Sequence, residues 1–245
     1  MVVDTYYVFN RQVVSCLNII VGANIKNSIV TSLKKLGFTV YFAPENPNVL
    51  NGLSFHPDMQ LSGCDSTFVC EKSLYDYYKK IFDSAGVGLL CGETELSCNY
   101  PGDIAYNVKV VGETVFHKSD YTDPVLRTVL CDKKFIDVSQ GYSGCSICKV
   151  SDNAIVTADK LIHKRAEENG LNSLLISCGH IELEGFDYGF IGGASFYAES
   201  RIYFFGDVSK HPDFFKIDKF CKNHGTEIVI LCEGNLTDYG GAITF

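Results

Sequence analysis

An internal repeat constrains this chain more than any other feature. Five amphipathic stretches begin at Asn27, Ser73, Thr122, Asp159 and His211. Each places apolar residues at the 3.6-residue period of a helix, as Ile29, Val30, Leu33 and Leu36 do in the first. The starts recur at intervals of 46, 49, 37 and 52 residues. A second landmark follows the same series: Asp58, Asp103, Asp152, Asp187 and Asp238 lie 45, 49, 35 and 51 residues apart, short interval included. Two landmarks with one rhythm indicate five copies of one supersecondary unit. A period of this length belongs to solenoids, propellers or closed arrays.

Four of the five helical stretches stop at a glycine (Gly37, Gly86, Gly170 and Gly225), the residue that takes the left-handed conformation past a helix end most cheaply. The third stops at Asp132-Lys133-Lys134 instead. Short apolar runs follow at 38–42, 88–91, 135–138, 174–176 and 227–231 and read as buried strands. A polar segment with its Asp comes next, and then further strand-like residues. The last unit breaks off after Ala242-Ile243-Thr244-Phe245, whereas the chain opens with strand-like Tyr6–Phe9 and Val13–Ile20 and no helix before them. Joining the two ends completes a unit and leaves no open sheet edge. The expected fold is therefore a five-unit α/β propeller in one domain over residues 1–245. A doubly wound parallel sheet would also alternate helix and strand. It does not account for the extra strand pairs, and the G-x-G-x-x-G turn is missing.

With 245 residues, 46% of them hydrophobic, the chain can bury a sizeable core. A net charge of −8 and the lack of any long Lys/Arg run argue against nucleic acid as a partner. No apolar stretch approaches the length of a membrane span, and Met1-Val2-Val3-Asp4 lacks the basic and apolar regions of a signal peptide. The expected setting is cytoplasmic, with the eleven cysteines reduced. Only Cys145 and Cys148 show C-x-x-C spacing, with no second pair to complete a zinc site. We therefore expect no metal and no cofactor; a homo-oligomer is left open.

His56-Pro57-Asp58 brings an imidazole and a carboxylate two residues apart, which on a strand would share one face. The plainer alternative is a turn, with Pro57 bending the chain and Asp58 capping an amide. Cys145 follows Gly141-Tyr142-Ser143-Gly144, where glycines permit close approach to a ligand. Its alternative is a small buried residue. Asn107 is a ligand donor or a brace for backbone. His180, in Cys178-Gly179-His180, follows a strand, where loops carry function. Gly189, Gly192 and Gly193 read as tight packing at the ring centre. His117, His163 and His224 read as surface residues, and His211 as part of a helix start.

Five units of helix, strand and polar turn that close on themselves resemble the pentein fold of guanidino-group-modifying enzymes, a family that includes arginine and agmatine deiminases and dimethylarginine hydrolases. His56-Pro57-Asp58-Met59 is similar to that family's His-x-Asp segment, and Leu183-Glu184-Gly185-Phe186-Asp187 to its Glu-Gly-Gly-Asp segment, with Phe186 in place of a glycine. The run 140–148, with Gly189-Phe190-Ile191-Gly192-Gly193, resembles more closely an uncharacterised bacterial branch of the fold. The family's nucleophilic cysteine stands in a Gly-rich segment of the last unit. Here that segment, Asp238-Tyr239-Gly240-Gly241-Ala242-Ile243-Thr244, has none. The family's cysteine lies two units after the His-x-Asp segment, and two units after Asp58 comes Cys145.

The resemblance implies a hydrolase or deiminase of a small cationic guanidino compound. Cys145 would be the nucleophile, with His56 or His180 as acid–base. Asp58, Asn107, Glu184, Asp187 and Asp238 would hold the substrate, since carboxylates grip a planar guanidinium bidentately. The missing C-terminal cysteine favours the second reading, a binding module without catalysis, as in the ribosome anti-association factor of this fold.

Overall fold

The computed structural model describes residues 17–64 and 66–245. The expected strand at Tyr6–Phe9 and the first part of that at Val13–Ile20 fall outside the described residues.

Five three-stranded sheets repeat one pattern: an antiparallel pair, an outer helix and a returning parallel strand. The first sheet holds β1 (Asn18–Gly22) and β2 (Thr39–Ala43), joined through α1 (Asn27–Lys35). The second begins after the one-turn helix α2 (Pro57–Gln60) with β3 (Leu61–Cys64) and β4 (Thr67–Cys70), then α3 (Tyr75–Ala85) and β5 (Gly88–Cys91). The third has β6 (Lys109–Val111), β7 (Thr114–His117), α4 (Pro124–Val129) and β8 (Lys134–Asp137). In the fourth, the single turn α5 (Ser143–Ser146) leads into β9 (Ile147–Ser151), β10 (Ala154–Thr157), α6 (Lys160–Glu168) and β11 (Asn172–Leu175). The fifth comprises β12 (Ser195–Ala198), β13 (Arg201–Phe204), α7 (Phe214–Asn223) and β14 (Glu227–Ile230). Strand β15 (Ile243–Thr244) then pairs antiparallel with β1, Ile19 opposite Thr244 and Ile20 opposite Ile243. The end of the chain thus completes the first sheet, as the repeat count requires.

Local chemistry sets the helix limits. Asp123 accepts from the amides of Val125 and Leu126 at the start of α4, with Pro124 in the first helical position. Asp159 does the same for Leu161 and Ile162 at α6. The core lies between the helices and the sheets; one cluster packs Ile217 and Cys221 of α7 against Val150, Ile202 and Phe204. The segments that enter β3, β6, β9, β12 and β15 carry Asp58, Asn107, Cys145, Gly193 and Gly241, all buried. These are polar or small residues where apolar ones would be the cheaper choice.

Three expectations need correcting. His56 and Asp58 do not lie on a strand: Pro57 starts α2, whose N-cap is His56. Asp152 is not the counterpart of Asp58, for it sits exposed in the β9–β10 turn. His117 is buried rather than superficial, with Nδ1 at 2.7 Å from the Thr122 hydroxyl and Nε2 at 2.9 Å from the Ile104 carbonyl.

Candidate active site

The segments before β3, β9 and β15 bring together residues that are far apart in sequence. Cys145 Sγ, an imidazole nitrogen of His56 and a carboxylate oxygen of Asp238 all lie within 4.8 Å of one another, and all three residues are buried. Asp58 joins them, since Cys145 Sγ donates to its Oδ2 at 2.9 Å. Of this group, Cys145 and Asp238 line a cleft of about 250 Å³ together with Leu53, Tyr142, Phe186 and Asp187, while Asp58 lines a separate hollow of about 390 Å³.

Backbone geometry fixes each member. The one-turn helix α5 orients Cys145, and the Gly144 amide donates to Asn107 Oδ1 at 2.7 Å and, more weakly, to the Asn107 carbonyl at 3.2 Å. Asn107 Nδ2 approaches Cys145 Sγ at 3.4 Å and the Asp58 carbonyl at 3.2 Å. With its side chain fully buried and bonded to these neighbours, Asn107 braces the site. Both Asp238 oxygens accept backbone amides, Oδ1 from Gly240 at 2.9 Å and Oδ2 from Phe190 at 2.8 Å. Two glycines permit this crowding. A Cβ on Gly193 would collide with the Asp238 carboxylate, and one on Gly240 (φ +74°) with His56.

Several polar atoms here lack a partner. His56 Nδ1 stands 3.9 Å from Asp238 Oδ1, too far for a hydrogen bond, and Asp58 Oδ1 has no partner either. Most buried polar groups in folded proteins find a partner, so these two call for a physical reason. Burial shapes the protonation as well. It pushes Asp58 up to about 6, against the smaller opposing effects of Cys145 and Lys109. It raises Asp238 to about 7, with help from the Asp58 charge. His56 falls to about 3 and is neutral at ordinary pH. The Cys145 thiol rises well above its usual range, first through burial and then through the carboxylates of Asp58 and Asp238. The ligand-free site therefore holds a protonated thiol, a neutral imidazole and carboxylates that resist ionisation. A thiol in that state reacts slowly. Iodoacetamide is expected to label exposed Cys98, Cys131 and Cys178 before Cys145, as read by peptide mapping.

His56, Cys145 and Asp238 also form a donor set that a zinc-type cation accepts, although the raised thiol must first lose its proton.

The remaining sequence candidates separate from this cluster. His180 is exposed in an adjoining hollow, its ring edge-on to His211 at 5.4 Å, and does not line the Cys145 cleft. Glu184 is exposed and is not part of the cleft wall, whereas Asp187 is exposed at its margin. Sequence reading missed Asp103, whose Oδ2 accepts from the Tyr142 hydroxyl at 2.7 Å and so fixes one cleft wall. Its place in the Asp series was the available signal. Leu53 and Phe190 also line the cleft, and nothing in their local sequence marks them.

The fold has close structural counterparts despite very low identity. A dimethylarginine dimethylaminohydrolase solved as a 4-chloro-2-hydroxymethylpyridine adduct superposes with a TM-score of 0.58 at 8% identity, covering 94% of this chain and all of the other. The same enzyme from Pseudomonas aeruginosa, a cysteine-to-serine variant with citrulline, gives 0.55 at 9% identity over 93% and 98%. C. jejuni agmatine deiminase gives 0.52 at 10% identity over 88% and 86%. No curated protein matches the sequence significantly. A family of unknown function, DUF6873, matches residues 20–243. The chain belongs to that family, and its fold is the pentein fold of the guanidino-modifying enzymes.

Proposed function

We propose that this chain hydrolyses a small guanidino compound through Cys145. The observation that carries the reading is the buried convergence of one thiol, one imidazole and two carboxylates, of which Cys145 and Asp238 line a cleft. A planar cation with paired N–H donors ionises both acids. Its charge also lowers the thiol, so the nucleophile forms only once substrate has entered. That dependence protects a cytoplasmic cysteine, the setting we assign to this protein, from stray electrophiles.

The steps then balance. The thiol proton passes to His56, which the Asp238 carboxylate at 3.9 Å stabilises as an imidazolium. The thiolate attacks the guanidinium carbon and a C–S bond forms. A C–N bond breaks as His56 protonates the departing nitrogen, which leaves as ammonia or an amine. Water adds to the same carbon and gives a proton to His56. The C–S bond breaks, and the ureido product and the thiolate are released. Citrulline, held by the Pseudomonas relative, is a ureido compound of this kind.

Acid quenching during turnover tests the reading. In the deiminase case the Cys145 peptide should gain the mass of the substrate less ammonia. If no guanidino compound is consumed and no adduct forms, the chain is a binding module. Zinc at the site is a distinct outcome, read as stoichiometric metal in the purified protein that the Cys145→Ser variant loses.

A further inference from the structure

The hollow of about 390 Å³ that Asp58 lines shares no lining residue with the Cys145 cleft. Three lysines of two neighbouring units converge on it: Lys109 of β6, Lys133 just before β8 and Lys149 of β9. Lysines are seldom buried without a partner, and this chain carries a net charge of −8. Yet the Lys133 side chain is only 7% exposed and that of Lys149 only 21%. Lys133 Nζ donates to the Gly112 carbonyl at 3.3 Å and stands 3.7 Å from Glu113 Oε1, so its three donors are not filled. Lys149 Nζ lies 2.8 Å from Asp152 Oδ1. Lys109 Nζ has the Gly144 carbonyl at 3.5 Å, the outer limit of a hydrogen bond, and among the described residues no carboxylate within 4.0 Å. Burial pushes Lys109 below the ordinary lysine range, by more than the nearby Asp58 charge restores.

The acids of the hollow leave this charge incompletely met. Glu113 and Asp152 sit at hairpin turns with side chains 86% and 81% exposed, and ion pairs of that kind are weak enough to yield to a competing anion. Asp58 is the third acid, and burial resists its ionisation. Ser62 and Thr244 supply hydroxyls, and Gly144, Gly192 and Gly240 offer backbone that a small ligand can approach. We propose that this hollow binds a small oxyanion carrying two or more negative charges, a phosphate or a polycarboxylate, held by Lys109, Lys133 and Lys149. Such an anion meets several ammonium groups at once, and each charged hydrogen bond is stronger than a neutral one. The site stands without the hydrolytic reading, because neither Cys145 nor His56 lines it.

Calorimetric titration of the wild-type protein at neutral pH and low ionic strength tests this, with inorganic phosphate, citrate and the monovalent acetate as probes. One site is expected, taking phosphate or citrate at least about tenfold more tightly than acetate. Lys109→Met should weaken the tighter of the two about tenfold. Lys149→Gln should weaken it about threefold, since Asp152 already shares that charge. Lys219→Gln, at an exposed position on α7, should change nothing. Melting temperatures report whether each variant is folded, and if Lys109→Met is not, Lys149→Gln decides alone. Phosphate binding the tighter assigns the site to phosphoryl groups, and citrate binding the tighter assigns it to polycarboxylates; either upholds the proposal. It is overturned if no probe binds, if acetate binds as tightly as the others, if both hollow variants bind like the wild type, or if Lys219→Gln weakens binding as much as they do.

Discussion

Cys145→Ser is expected to abolish turnover of guanidino compounds, by at least about 10³-fold in kcat, while the protein stays folded. A hydroxyl keeps the donor that Asp58 Oδ2 now receives at 2.9 Å, so the buried carboxylate is not stripped of its partner. What is lost is the nucleophile, because a bound guanidinium cannot bring an alkoxide within reach as it can a thiolate. Circular dichroism and melting temperature should match the wild type, and bound guanidino compounds should persist without being consumed. Residual activity near the wild-type level would remove Cys145 from the mechanism. The other cysteines would not readily replace it, since among the described residues only Cys145 stands with His56 and Asp238.

Asp58→Asn should act on both activity and stability, in opposite senses. The sign follows from the proton count. Asp58 titrates near 6 in the folded protein against 3.8 in a free chain, chiefly because burial disfavours its charge. Between those values the native state binds more protons than the unfolded state, so this residue's contribution to stability falls as pH rises. The loss begins near pH 4 and is complete a little above pH 6. A shift of this size corresponds to at most about 3 kcal/mol. Asparagine removes that penalty, and its amide oxygen can take the Cys145 thiol in place of Oδ2. The stability of Asp58→Asn relative to wild type should therefore rise between pH 4 and pH 7, seen as a melting-temperature gap that widens by several degrees. Taking the difference cancels the opposite trend of His56, which burial depresses to about 3 in both proteins. Catalysis should suffer, because a neutral amide neither grips a guanidinium bidentately nor offsets its charge. A fall of about 10²-fold in kcat/KM is expected, with KM taking much of it. A pH-independent gap would mean that Asp58 is ionised in the empty site, and unchanged kcat/KM would remove it from substrate binding.

Much of the architecture was legible in the sequence, because helices and strands announce themselves by local period and punctuation. Gly37, Gly86, Gly170 and Gly225 do end their helices with positive φ, and the strand expected at Gly88–Cys91 is observed with those limits. Closure was legible too, since a unit lacking its first strands at one end and a surplus strand at the other can only complete each other. The site was legible in part. The two-unit spacing singled out Cys145 as the partner of His56, but the Asp series misled at Asp152, because one residue type serves both a ring-centre position and a hairpin turn. His180 and Glu184 lie outside the cluster of His56, Cys145 and Asp238, which sequence could not show because loop residues carry no period to say which way they face.

The sequence by itself determined the five units, their order and the ring they form, for these follow from short-range periodicity and from the need to pair every strand. Only the tertiary structure decided which side chains meet. It set Asp238 beside His56 and Cys145 against Asp58, and it gave Asn107 over to bracing. It also decided the protonation of the site, because burial at the ring centre depends on all five units at once.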